Sequence, residues 1–378
     1  MASKQSEVAS VADGQRFISH HLAVSLEFLQ RLDATTSLNA LGKAASELSM
    51  STAFSGIGCP EQVHYMGCRA LAKILEIEYP TLTHLWSLEL NAECNYELAM
   101  SPARPMCRFG DIAEGIDVKV RDRLLLAAES IPYDELSATF KAANVMTARM
   151  HCLSHGKACA LKRACLHVAG TECIHFSKAG PRPGTKGKRM IYFLCWVHQR
   201  RRVQEDFILH ENVEAFPLRV LEGQLGDYYI IPRGGSMVFC ASACGNAYRR
   251  PRRWTWLVHK KSLIFEPVRE LLLPWDEFVN MLYRTATYSW REYFCAEDGH
   301  VREELNWART SKRQEAGGDD TFFAMLTKAE QQQLIIDEEM CNEGVCAIGQ
   351  DPTQRPVHNM GKMELPCITK HMHLFGGF

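Results

Sequence analysis

The chain has no long apolar run. Its longest is eight residues, Met190 to Val197, against the roughly 20 that a membrane-spanning helix needs, so no transmembrane segment and no membrane partner are expected. It has no excess of either charge: 43 Lys+Arg stand against 44 Asp+Glu, a net charge of -1. That excludes a wholly basic nucleic-acid coat protein and an acidic disordered tail, but not a local basic face. Met1 to Asp13 contains no apolar h-region, so no secretory signal is expected. No repeat of about 20–50 residues and no low-complexity block is evident, which excludes a solenoid array. Cysteine is not lacking, but the 15 cysteines are odd in number and irregularly spaced. Without a secretory signal they read as reduced thiols of a nuclear or cytoplasmic protein rather than as a disulfide framework.

What is present is length and a rhythm. At about 150 residues per domain, 378 residues suggest two or three units, enough to bury a sizeable core. Residues 1–45 hold one predicted helix, Phe17 to Leu32. Strand-like and helix-like segments then alternate: strands at Leu48–Ser55, Leu82–Leu90, Cys107–Ile112, Cys165–Ala169, Phe207–Val213, Tyr228–Ile231 and Trp254–Phe265, with helices at Glu61–Ile77, from Ala92, at Ile116–Ile131, Tyr133–Met150, Arg189–Arg202 and Glu214–Leu225. This predicts an α/β fold, an open sheet with helices on both faces over residues 46–265, with ligands at the carboxyl ends of its strands. From about Leu271 the rhythm breaks, and 266–378 is expected to be a smaller, irregular region.

Chemistry-bearing residues fall at the predicted strand ends. Phe54-Ser55-Gly56-Ile57-Gly58 closes the first strand with glycines that let the backbone turn sharply and approach a ligand; a plain tight turn has the same pattern. Glu89-Leu90 ends the second strand, where an acid accepts both hydroxyls of a ribose. Asp111-Ile112 ends the third, where a carboxylate accepts from an adenine amino group. Glu89 and Asp111 also suit helix N-caps. Gly170 to Gly180 carries Cys173 in a loop, where a thiolate reaches a substrate if positive charge lowers its pKa. Lys178, Arg182, Lys186, Lys188 and Arg189 supply that charge; a small buried cysteine is the alternative. His210-Glu211-Asn212-Val213 ends another strand, as an acid in a site or in a solvated turn. In Tyr248 to Arg253, Arg250 and Arg252 alternate, so on a strand both point to one side, as a phosphate patch or a solvated face. Trp254, Trp256, Tyr288 and Trp290 suit base stacking or a core. Cys152, His155, Cys159 and Cys165 have spacings near those of a zinc knuckle, but Cys165 falls inside a predicted strand, so no metal is expected.

Taken in order, these pieces resemble the cytosine-5 DNA methyltransferase family. Phe54 to Gly58 looks like its first motif, Glu89 its second and Asp111 its third. Gly170 to Ser177 looks like the motif around the catalytic cysteine, Glu211-Asn212-Val213 like the glutamate motif, and Arg250 and Arg252 like the two arginines of the eighth. Order and strand-end placement match over about Ser49–His259, and Gln350 to Thr369 resembles the stretch before the last motifs in some members. The resemblance implies a Rossmann-like S-adenosylmethionine-dependent methyltransferase sheet at 46–265, with 266–378 as a target-recognition region. It implies S-adenosyl-L-methionine on Phe54, Gly56, Ile57, Gly58, Glu89, Leu90, Asp111 and Ile112. Catalysis falls to Cys173, Glu211, Arg250 and Arg252, acting on a flipped-out cytosine of DNA.

RNA, which one branch of the family methylates, is an alternative substrate, and a non-catalytic nucleic-acid or partner-binding relative is another reading. A monomer is expected. The basic stretches Arg182–Arg202 and Arg249–Lys261 would meet phosphates. This chain departs from the family at Glu172, where a proline precedes the cysteine, at Cys59, usually glycine, and at Tyr248, usually glutamine. It ends at Phe378, where the ninth and tenth motifs would follow, so truncation before those motifs is expected.

Overall fold

Short buried strands carry the architecture. The computed structural model describes residues 11–32, 47–76, 83–128, 130–143, 145–177, 184–186, 189–244, 250–264, 280–283, 345–348 and 373–376. Helix α1 (Val11–Leu32) precedes β1 (Ser49–Ala53), and α2 (Cys59–Leu75), β2 (Thr83–Leu88), α3 (Ala92–Met100) and β3 (Cys107–Phe109) alternate after it. A 3-10 turn at Ile112–Gly115 leads to α4 (Val118–Ala127), α5 (Tyr133–Ala143) and the strands β4 (Arg149–Cys152) and β5 (Lys157–Ala160). Then come β6 (Leu166–Gly170), α6 (Met190–Val203), β7 (Phe207–Val213), α7 (Leu218–Leu225), β8 (Tyr229–Ile230), β9 (Ser236–Cys240) and β10 (Pro251–His259).

The sheet order is β5-β4-β3-β2-β1-β6-β7-β10-β8, with β9 also paired to β10. β3, β2, β1, β6 and β7 run parallel. β10 is antiparallel to β7 and β8, and β4 to β3 and β5. The chain winds outward from β1 to β3, then restarts on the other side of β1 with β6. That reversal is the topological switch of a doubly wound sheet, where the strand ends splay and leave a crevice. The fold is the expected Rossmann-like α/β class.

Alternation along β1 fixes what covers each face, because successive side chains point to opposite sides. On one side the Thr52 hydroxyl bonds Glu61 of α2. On the other, Ser51 bonds His167 of β6 at 2.9 Å, and Trp196 of α6 donates to the same ring at 3.0 Å. Helices therefore cover both faces. The longest apolar run of the sequence is the buried body of α6, whose residues from Phe193 to Arg200 are all buried. A helix apolar on every side belongs in a core. Arg200 is itself fully buried, ion-paired to Glu205, with its guanidinium 5.1 Å from the Trp86 ring centre.

Several predicted bounds shift for local reasons. The helix expected over Tyr133–Met150 ends at Ala143 because Arg149 to Cys152 alternates exposed and buried, the period of a strand. The strand expected over Cys107–Ile112 stops at Phe109, and Asp111 caps the 3-10 turn that follows. Pro217 delays α7 to Leu218. Strand β9 was not foreseen. Contacts divide the chain into Gly14–Phe239 with Pro251–Leu282, and a second unit of Met1–Asp13, Cys240–Arg250 and Tyr283–Phe378. In the second unit, β11 (Val345–Ile348) and β12 (His373–Gly376) pair antiparallel. The predicted segments Trp275–Tyr288, Ala308–Glu339 and Gln350–Thr369 lie largely or wholly outside the described residues.

Candidate active site

The parallel strands end in one row, since Ala53 pairs with Leu88 and Ala169, Leu88 with Phe109, and Gly170 with Glu211. Phe54, Glu89, Gly110, Gly170 and Glu211 therefore follow side by side, with Asp111, Thr171 and Asn212 one position further along. At the first turn, Phe54, Gly56 and Gly58 all have positive φ. Gly58 has φ +88, and a Cβ there would lie 2.6 Å from the Leu98 side chain, so the site admits neither a side chain nor an ordinary backbone. The turn is tied across the row. Gly56 N–H donates to Glu89 Oε2 at 2.8 Å and Asn91 N–H to Glu89 Oε1 at 2.9 Å. Glu89 is thus not the N-cap of α3; Asn91 is, accepting from the amides of Glu93 and Cys94. Asp111 is a cap, with Oδ1 accepting from Ala113 N–H at 2.8 Å.

Around these carboxylates the surface is bare. Ile57 is 64 % and Leu90 59 % exposed, and a Cβ added at Gly56 or Gly110 would meet nothing within 4 Å. Two uncovered apolar side chains and two strand-end carboxylates thus fall at the ends of β1, β2 and β3. Ile112 differs: it is packed in the core, and its side chain offers a ligand no surface. Beneath the turn lies Glu61, which the sequence did not single out. It is buried and bonded to Thr52, and burial pushes its carboxyl above the usual range.

The other half of the row is built on β6, β7 and β10. Gly170 faces Glu211 so closely that a Cβ would sit 3.2 Å from Glu211 Oε2. Arg252 pairs with Glu211, Nε to Oε1 at 3.0 Å. Register explains the meeting: Trp254 lies opposite Glu211 and Arg252 opposite Val213, so Arg252 reaches Glu211 diagonally on one face. The loop that carries Cys173 is anchored at its root. Asn212 Nδ2 donates to Thr171 O at 3.1 Å and Oγ1 at 3.0 Å, and the Thr171 hydroxyl bonds His210 Nε2 at 2.7 Å. His210 is a core residue, its imidazole held down to about 3 by burial, so it stays neutral. The Cys173 carbonyl then accepts from the amides of Phe176 and Ser177, which winds the loop into a turn. Thr171 and Asn212 lie within the quoted motifs, but nothing in their type marked them as the clamp.

Glu172 precedes the thiol and turns toward Arg189, at 3.6 Å. Burial raises its carboxyl above the ordinary value, Arg189 opposes that, and the nearby Asp111 adds to it. The carboxylate next to Cys173 is thus compensated by a guanidinium.

Other expectations are corrected. Arg250 lies just before β10 rather than on it, its amide donating to Cys240 Sγ at 3.0 Å. Arg200 cannot meet phosphate because it is fully buried. Arg201 donates to Gln224 O and pairs with Asp227, and Arg202 donates to Met146 O. Trp254 stacks on Phe239, with ring centres 5.7 Å apart. Lys178, Arg182, Lys188, Tyr248, Arg249, Tyr288 and Trp290 lie outside the described residues.

No family model matches the chain, and no curated protein does. Among solved structures it is similar to a protein described as a DNA modification methyltransferase encoded within an E. coli prophage, with 16 % identity over 58 % of this chain and 48 % of that one, TM-score 0.33. It is also similar to the Dnmt2 methyltransferase of S. pombe, with 14 % identity over 56 % and 49 % of the two chains, TM-score 0.31. A mutant DNMT2 of Spodoptera frugiperda matches at 16 % identity over 58 % and 52 %, TM-score 0.31. The matched part is about half the length of each of those chains. The functional reading therefore rests on this chain's own residues.

Proposed function

We propose that the chain is an S-adenosylmethionine-dependent DNA (cytosine-5) methyltransferase. The observation that carries this reading is the Glu211–Arg252 pair set against Gly170, the residue at which the strand leaves for Cys173. A carboxylate oriented by an arginine, at the root of a loop that carries a thiol, suits nucleophilic attack on a pyrimidine ring. The residues at the cofactor positions fit an adenosine group. Glu89 Oε1 and Oε2 each accept one backbone amide and retain a second lone pair for a ribose hydroxyl. Asp111 lies at the next strand end, and exposed Ile57 and Leu90 offer apolar contact.

When bound, S-adenosylmethionine supplies an electrophilic methyl group. This chain's own residues prepare the base. Cys173, as thiolate, adds to carbon 6 of cytosine, which makes carbon 5 enamine-like. Glu211, protonated or sharing a proton, donates to N3, accepts from the exocyclic amine and offsets the charge that develops there. Arg252 fixes Glu211 and reaches toward the base oxygen, and Arg250 supports the loop or a phosphate. Once carbon 5 carried the methyl group, its proton would pass to a base such as solvent water, and the electron pair of that C–H bond would re-form the ring double bond and expel Cys173 as thiolate. The target base has to leave the duplex, at a cost of a few kcal/mol. Residues 266–378 are the candidate for target recognition.

The test is mechanism-based capture. The chain is incubated with labelled S-adenosylmethionine and oligonucleotides carrying 5-fluorocytosine, as DNA and as RNA. Loss of fluorine in place of the proton is blocked, so a covalent adduct should accumulate on DNA and vanish in Cys173→Ala. An adduct on RNA alone would move the assignment to RNA. No adduct on either polymer from a folded chain would sink the enzyme reading and leave a non-catalytic nucleic-acid or partner-binding protein.

A further inference from the structure

We propose that Cys107, Cys152, His155 and Cys159 form a structural zinc site that staples the β4–β5 hairpin to β3. Their ligand atoms all lie within 4.8 Å of one another. His155 Nδ1 is 3.2 Å from Cys152 Sγ and 3.6 Å from both Cys107 Sγ and Cys159 Sγ. Hydrogen bonding does not account for this convergence. A ring nitrogen carries either one proton or one lone pair, so it serves one partner well, not three. A tetrahedral cation does account for it. With bonds of about 2.3 Å to sulfur and about 2.0–2.1 Å to nitrogen, the sulfur–nitrogen edge of the tetrahedron is about 3.6 Å. The three distances fall at or near that edge.

The donor set selects the metal. Three thiolates and an imidazole suit zinc, and four protein ligands leave no open position for water, the mark of a structural rather than a catalytic centre. All three sulfurs belong to thiols, not disulfides. The turn between the strands has the shape of a knuckle. The amides of His155 and Gly156 donate to the Cys152 carbonyl, and Gly156 takes φ +63.

The hairpin needs such a staple. Among the described residues, β4 and its turn meet β3 through one registered pair, Phe109 with Cys152, the Leu153 amide on the Arg108 carbonyl, and Arg108 Nε on Ser154 Oγ at 3.3 Å. Leu153 is 46 % exposed, so the tip buries little apolar surface. Met150 and Cys152 anchor the root of the hairpin in the core, and a cation bound by Cys107 on β3 and by three residues of the hairpin would hold the exposed tip and β5 as well. The spacing of Cys152, His155 and Cys159 had suggested Cys165 as the fourth ligand. Cys165 instead starts the β6 edge, its amide donating to Ser49 Oγ at 3.0 Å and its sulfur accepting from that hydroxyl at 3.4 Å.

The site is independent of the methyl-transfer reading, because metal is counted on the resting protein. The full chain, purified under reductant without added metal, should carry about one zinc per chain. Cys165→Ser should keep it, and Cys159→Ser should lose most of it. Because a ligand deletion can also unfold the hairpin, the chelated chain is refilled with cobalt. Wild type should give the absorption of a tetrahedral thiolate–cobalt centre, and His155→Cys should retain the metal with stronger sulfur charge-transfer bands. A folded wild-type chain without zinc that takes up no cobalt would overturn the proposal. So would metal loss in folded Cys165→Ser, a spectrum unchanged by His155→Cys, or iron in place of zinc.

Discussion

On the β1–β2–β3 side of the strand-end row, carboxylates are held by backbone amides: Glu89 by Gly56 and Asn91, Asp111 by Ala113. On the β6–β7–β10 side they are held by arginines: Glu211 by Arg252 and Glu172 by Arg189. An amide holds a carboxylate oxygen without neutralising it, so its charge and remaining lone pairs stay available to a ligand's hydroxyl and amino donors. A guanidinium fixes both the position and the charge balance of its partner, which suits a group facing charge that changes during a reaction. The first side has the character of a binding surface and the second that of a reacting one, and substitutions can tell them apart.

The largest expected effect is on the reacting side. Glu211→Gln keeps size and shape but loses the charge that Arg252 pairs with and the group that faces the base. Turnover should fall by about 10²–10⁴-fold, the range for a positioned acid–base group, while the Kd for S-adenosylmethionine stays within about twofold. Steady-state methyl transfer and calorimetry read the two quantities separately. A parallel loss of cofactor affinity would break the division between the sides.

Glu89→Gln is the counterpart on the binding side. A glutamine has one acceptor oxygen, so its NH2 would confront the amide of either Gly56 or Asn91. Both the turn and the ribose contact suffer. Hydrogen bonds to charged groups contribute about 1.5–3 kcal/mol, which corresponds to about 10–100-fold in cofactor Kd. Capture of 5-fluorocytosine DNA at saturating cofactor should be much less affected. Unchanged cofactor affinity would show that Glu89 only braces the glycine turn.

Both sides were legible in the sequence as strand ends, because short strand-like segments alternate with amphipathic helices and each is followed by glycine or a chemistry-bearing residue. What was not legible depends on contacts far apart in the chain. Cys107 and the Cys152–Cys159 segment come together only because β4 pairs with β3, and β4 was hidden as the tail of a predicted helix. Cys165 was nearer in sequence and was the natural guess. The arginines of α6 form a basic stretch, but helical geometry turns Arg200 inward onto Glu205 and spends Arg201 and Arg202 on carbonyls and Asp227. Linear charge density does not reveal which side of a helix is buried. The Glu211–Arg252 pair follows from a strand register, and no pattern in either segment alone specifies it.

Glu172 sits on the boundary and carries the smallest expected effect. It belongs to the Cys173 loop and pairs with Arg189, yet its carboxyl also feels Asp111 across the switch point. Glu172→Gln removes one negative charge from that neighbourhood and leaves Arg189, itself half exposed, without its partner. A partly solvated ion pair contributes about 0–1 kcal/mol, so cofactor Kd should change by less than about fivefold and the unfolding midpoint should shift little. Calorimetric titration with S-adenosylmethionine and a urea melt measure both. A change of tenfold or more in Kd would make Glu172 a direct contact of the cofactor. Glu172 would then belong to the binding side, and the Cys173 loop would be shared between the two.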